Sequence, residues 1–371
     1  MGILRFLLAV AVIFGHAGSL HGMSFVGGQI AVEAFFIISG FYIALILNEK
    51  YIKQNNSYKL FITNRLLRLY PYYWTILIAT LICAYFIPHY NSNSYMGNLD
   101  GWRTHGKDLS ITGYVGLLFT NFFLFFQDLV YFLGFNIPKG SFFFTADFQS
   151  HDPQLYKFIF IPQAWSIGLE LAFYLIAPFI VRKRYAIIII LLLASMIGKI
   201  YGMTHGLNSD PWSYRFFPFE LMYFMMGTLS YFIYKKFIEN IKLPKYIYQS
   251  VYIGLSLFTI IFSFIHIRNF DVVYILCVFL SIPFLFKYTE KFKLDRYIGE
   301  LSYPIYISHI LVLNIFRAIG TPKYSNIETI IGATVLSMIL VKFVGGPIER
   351  IRQGRVKNQK GVIKWQLHQQ L

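Results

Sequence analysis

Ten apolar runs, most of them close to twenty residues long, leave this 371-residue chain few ways to fold. They cover residues 3–19, 28–47, 69–87, 165–181, 185–203, 215–234, 246–266, 270–287, 300–319 and 328–346. A helix needs about 20 residues to cross the ~30 Å hydrocarbon core of a bilayer. Lipid offers no hydrogen bonds, so each run must satisfy its own backbone, as a helix does. Only 13% of the residues are charged and 56% are hydrophobic, whereas a soluble domain carries about 25% charged residues. The expected fold is therefore an all-α polytopic membrane protein with about ten transmembrane helices. The opening stretch MGILRFLLAVAVIFGHAG has the outline of a signal peptide. Nothing downstream resembles an exported soluble domain, so it reads as the first span. It also lacks the Ser or Thr of a myristoylation signal.

The net charge of +16 is distributed as a membrane protein's would be. With Arg5 on the inner side, 23 Lys and Arg fall in inner loops, 7 in outer loops and 3 within spans, namely Lys199, Arg317 and Lys342. That asymmetry places both termini in the cytoplasm and argues against a nucleic-acid partner. Residues 1–349 form one integral-membrane domain on this reading, and 350–371 a basic cytoplasmic tail. Cys83 and Cys277 both lie in apolar runs and no CxxC occurs, so neither a metal site nor a disulfide framework is supported. Residues 111–133 are apolar enough to span, but the basic clusters on either side demand an even number of crossings between 69 and 182. Two are already supplied, so 111–133 is expected to be re-entrant, to lie on the surface, or to pair with a further span near 140–163.

Ionisable residues inside spans are costly and are functional candidates. Arg5 and His16 are eleven residues apart, which at ~100° per residue brings them within roughly 20° on one helical face, ~16 Å apart. His16 and Glu33 lie at similar depth on either side of the short turn GSLHGMSFVGG. They suit a base with its orienting partner, or equally a pair that ties two helices together. Arg65 and Arg68, in NRLLRLYP, share a face at i,i+3. With Arg5 they would bind a polyphosphate, or simply anchor the inner surface. Pro71 then suits the first turn of the following helix. In WSIGLELAFYLIAP, Trp165 marks the membrane rim, and the buried Glu170 needs a cation or hydrogen-bond donors. Arg215 with Glu220 reads as a structural pair, and His309 as a satisfied core histidine.

Five stretches, in this order, resemble the membrane acyltransferase-3 family of O-acyltransferases that modify cell-surface glycans. They are Arg5 with His16, GGQIAVEAFFIISGFYI, FITNRLLRLYP, WSIGLELAFYLIAP and IGELSYPIYISHI. The resemblance implies a stand-alone acyltransferase without a fused hydrolase-like domain. It implies that His16 and Glu33 are catalytic, and that Arg5, Arg65 and Arg68 bind acyl-CoA, by default acetyl-CoA. Trp165 and Glu170 are left to an acceptor or structural site. Departures are Ile167 where the family has Leu, and GGPIER at 345–350, which leaves Glu349 without a role.

Together these readings imply transfer from cytosolic acetyl-CoA to a hydroxyl of an extracytoplasmic or lipid-linked glycan, at a bacterial cytoplasmic membrane. The pantetheine arm would thread between spans one, two and three toward His16. His16 would take the hydroxyl's proton, or carry the acyl group transiently, with Glu33 holding its tautomer. The rival is a proton-coupled secondary transporter using His16 and Glu33 as a relay, which would show internal repeats and broken helices at mid-depth.

Overall fold

In a computed structural model, residues 1–51, 57–87, 99–318 and 325–356 are described. Thirteen α-helices occur along them in order. They are α1 Gly2–Ala17, α2 Gly28–Glu49, α3 Ser57–Phe86, α4 Asp100–His105, α5 Ile111–Phe123, α6 Trp165–Ile180, α7 Tyr185–Thr204, α8 Trp212–Arg215, α9 Phe217–Ile233, α10 Lys245–Ile261, α11 Phe270–Thr289, α12 Lys293–Ala318 and α13 Ser325–Leu340. Among the described residues, nine helical stretches are long and apolar enough to cross a membrane, and α1 is a shorter apolar helix of 16 residues. These ten stand where the ten apolar runs place them. The protein is an all-α polytopic membrane protein.

Two helices begin well before their apolar runs. α3 starts at Ser57 instead of 69, and α12 at Lys293 instead of 300. Hydropathy falls where charge begins, but the helical backbone runs on through Pro71 and Pro304, so both helices carry polar turns beyond the apolar stretch. Arg65 and Arg68 thus sit within α3, and Pro71 lies in its middle, not in a first turn. Residues 346–356 continue the last helix, and 357–371 of the expected tail lie outside the described residues.

Lipid cannot drive helices together, so close approach through small residues matters most. At the α2–α9 crossing a methyl group on Gly40 would fall on the Phe224 carbonyl, and one on Gly227 on the Ile37 carbonyl. Gly2 meets Asp295 and Gly299 of α12 in the same way, and Gly15 of α1 meets Gly28 of α2. The helices α1, α2, α9 and α12 make the centre. Peripheral helices turn exposed Ile190, Ile197, Leu276, Leu280, Ile331 and Val335 outward, as a lipid-facing surface would. Gly227→Val should force the α2–α9 backbones apart, with a loss of at least ~1–3 kcal/mol. A lower melting temperature in detergent would show it, and unchanged melting would mean the crossing is not tight.

The segment 99–164 caps the end opposite the arginines. α5 is only 13 residues long, and a hairpin of β1 Leu133–Asn136 with β2 Ser141–Phe144 comes after it. There is no span near 140–163. The last carbonyls of α5 would be orphaned in hydrocarbon. Three side chains of α3 satisfy them: Tyr73 hydroxyl donates to Asn121, Trp74 Nε1 to Phe122 (2.9 Å) and Tyr70 hydroxyl to Phe123. These bonds fix the end of α5 against α3, with Gly113, Leu117 and Asn121 turned inward and Val115, Phe119 and Phe122 exposed, so 111–133 packs on the bundle as a short helix and not as a full span. Asn121 Nδ2 also donates to Phe158 O (3.0 Å) and its Oδ1 accepts from Phe160 N (2.7 Å).

Candidate active site

The arginines converge. Arg5 from α1 and Arg65 and Arg68 from α3 line one cavity of about 100 Å³ with Ser39 and Tyr42 of α2, Glu170 and Tyr174 of α6, and Tyr303 and Tyr306 of α12. Arg5 is held at this level because Asp295 of α12 caps the start of α1. Its carboxylate accepts from Gly2 N (2.7 Å) and Ile3 N (3.1 Å), and from the Tyr252 hydroxyl (2.7 Å). Arg65 and Arg68 come together through their i,i+3 spacing. Glu170 is the cavity's one carboxylate, and it accepts from the Ser39 and Tyr174 hydroxyls. None of the three arginines makes an ion pair among the described residues, and the Nε of Arg65, itself 5% exposed, has no hydrogen-bond partner there. Three guanidiniums facing one carboxylate in a low-dielectric cavity leave excess positive charge, which an anion would neutralise.

The cavity widens at the arginine end into a mouth of about 440 Å³, with Arg65, Arg68 and Tyr303 lining both. Phe35 and Tyr306 also line the cavity, their ring centroids 6.4 Å apart. Tyr306 is fixed there, donating to Gln163 O (2.7 Å) and sharing a 2.6 Å hydrogen bond with Ser166 Oγ.

Beyond Tyr306 lies His16. It is exposed at the far end of α1, outside the cavity lining, and its ring centroid is 5.2 Å from that of His309. His309 is fully buried, with Nδ1 2.6 Å from Tyr306 O, while Nε2 has no partner among the described residues. It is thus only half satisfied. A ring nitrogen against a carbonyl carries the proton, so a neutral His309 presents its Nε2 lone pair. Arg317 Nη2 lies 3.4 Å from the carbonyl of His16, and Arg215 and Arg317 are the charged groups that act on its imidazole.

The His16–Glu33 pairing does not form. Positions 32, 35, 39 and 42 of α2 face the cavity, and Glu33 stands ~100° round from Val32. It faces Lys199 of α7, whose Nζ is 3.4 Å from Glu33 Oε1, 2.9 Å from Glu220 Oε1 and 3.2 Å from the Tyr223 hydroxyl. Glu220 therefore pairs with Lys199 and not with Arg215. Arg215 binds Asp210 through Nε (2.6 Å) and Nη2 (3.0 Å). Its guanidinium sits over Tyr131, Trp165 and Tyr214 at 4.0, 4.3 and 4.6 Å from their ring centroids. Trp165 thus packs on this cation and not with Glu170, which belongs to the arginine cavity.

Tyr303 and Tyr306 of the cavity carried no role in the sequence, and His309 beyond it was given only a core one. Tyr303, Tyr306 and His309 repeat at a spacing of three along α12, a stripe that would have marked a shared helical face. Ser39 and Tyr42 carried no comparable signal within the apolar run of α2.

The acyltransferase domain family model matches residues 1–342. The chain belongs to the acyltransferase 3 family. An uncharacterized protein of Aquifex aeolicus (strain VF5) is 26% identical over 203 residues, covering 52% of this chain and 89% of its own. No solved structure matches. Family membership makes the protein a membrane acyltransferase.

Proposed function

We propose that the protein moves an acetyl group from cytosolic acetyl-CoA to a hydroxyl of an extracytoplasmic or lipid-linked glycan, across the cytoplasmic membrane of a bacterium. The observation that carries this reading is the cavity bordered by Arg5, Arg65 and Arg68, without ion-pair partners among the described residues, opening at the end of the bundle rich in Lys and Arg. By the positive-inside tendency that end faces the cytosol. Guanidiniums offer forked donors to phosphate oxygens. The wide mouth suits a nucleotide, and the narrow inner cavity suits a pantetheine arm. The arm runs between α1, α2, α3, α6 and α12, and it passes Phe35 and Tyr306 on its way to His16.

At the far end His309 takes the orienting role the sequence had suggested for Glu33. Its Nε2 lone pair accepts the N–H of His16 once the two rings close up, leaving the other nitrogen of His16 free as a base. The acceptor hydroxyl oxygen attacks the thioester carbonyl and its proton passes to His16. The C–S bond breaks, and the leaving thiolate takes a proton. The products are an ester and free coenzyme A.

Isothermal titration of coenzyme A into the detergent-purified protein tests the donor side. Arg65→Gln should weaken binding about 10- to 100-fold, the worth of a charge-assisted contact. Absence of binding to the wild type would sink the reading.

A further inference from the structure

The mouth continues past the arginine cavity onto a wall that the functional reading does not use. Beyond the shared Arg65 and Arg68 it is lined by Lys50 of the α2 C-terminus and by Arg350 and Arg352, against Glu300 and Glu349. Arg350 and Arg352 belong to the helix that continues beyond α13, within the expected basic tail and past the residues matched by the family model.

Three features build this wall. A π turn at Val341–Gly345 inserts one residue into the helix, which rotates the next turns by about 100°. Gly345 lets the backbone rest on α3, because a methyl group there would fall on the Tyr72 hydroxyl oxygen. Beyond it, Arg352 Nε donates to Asn64 O (3.0 Å), and Arg355 Nη2 to Thr63 Oγ1 (2.8 Å). The helix is thereby pinned against α3 beside Arg65. Arg350 differs from these pinning residues. It is exposed, lines the mouth, and makes no hydrogen bond or ion pair among the described residues.

We infer that this wall is a second phosphate seat, in which Arg350, on a helix held in place by Arg352 through its ion pair with Glu349 and its bond to Asn64, takes the 3′-phosphate of the donor's adenosine end. This rests on the acyl-CoA reading above and extends it. Coenzyme A carries two separate anionic groups, a pyrophosphate next to the pantetheine arm and a 3′-phosphate on the ribose. The mouth presents basic groups at two places, the Arg65 and Arg68 border with the inner cavity and Arg350 on the wall outside it, where Arg352 is paired with Glu349. A donor entering arm first would place the pyrophosphate at the border and the ribose phosphate on the wall. The seat makes the site selective for a nucleotide-bearing donor over one carrying phosphopantetheine alone.

The test compares coenzyme A with dephospho-coenzyme A, which lacks only the 3′-phosphate, by titration into the full-length protein and its Arg350→Glu variant. Wild type should bind coenzyme A about tenfold or more tightly than the dephospho form. The variant should lose that preference while its affinity for the dephospho form is retained, which also shows that it is folded. Equal wild-type affinities, or equal weakening of both compounds in the variant, would overturn the second seat and leave the donor reading standing. No wild-type binding of either compound would overturn both.

Discussion

His16→Ala should reduce ester formation about 10²- to 10⁴-fold, the usual contribution of a positioned general base. It should leave coenzyme A affinity unaltered, because His16 stands outside the arginine cavity, beyond Phe35 and Tyr306. His309→Ala should give a smaller fall in turnover with the same donor affinity, since His309 acts through His16. The readout is base-labile O-acyl ester on surface glycans, scored by NMR in cells carrying wild type, variant or no protein. Wild-type ester levels in His16→Ala would remove His16 from the chemistry. A matching loss of coenzyme A binding would place it in the donor site instead. The modified hydroxyl seen in wild type would name the acceptor.

The second large effect is on folding. Lys199→Met leaves Glu33 and Glu220 buried without their ammonium. Breaking a buried pair by removing one partner costs about 3–5 kcal/mol, because the remaining charge has no solvent and no counterion. Thermal unfolding in detergent should fall sharply. The triple variant Lys199→Met/Glu33→Gln/Glu220→Gln should recover most of the loss, since no net charge is then stranded. A single variant as stable as wild type would show that the cluster does not hold α2, α7 and α9 together. Glu33→Gln separates the two accounts of that residue. If Glu33 is a tie to Lys199, the folded variant keeps its transferase activity, whereas a catalytic Glu33 would lose it.

The ten helices, the membrane class and the one-sided distribution of Lys and Arg were legible in the sequence, because each depends on composition along a single segment. Apolar runs of the right length have one good solution in lipid. The i,i+3 spacing of Arg65 and Arg68 and the eleven-residue stripe from Arg5 to His16 are helix geometry alone. Parity of crossings left 111–133 re-entrant, on the surface or paired with a further span, and could not foresee the capping of α5 by Tyr70, Tyr73 and Trp74.

Tertiary structure alone decided which partner each buried charge meets. Glu33 and His16 share a depth, and depth was all that sequence spacing supplied. The rotation of α2 is set by Gly40 and Gly227, whose missing side chains let α9 approach backbone to backbone. That contact turns Glu33 toward α7 and α9, where Lys199 waits, and turns Val32, Phe35 and Ser39 toward the cavity. Arg215 likewise finds Asp210 before Glu220, because Glu220 is already committed to the same lysine. A helix offers every side chain a direction, but only packing against its neighbours decides what lies in that direction.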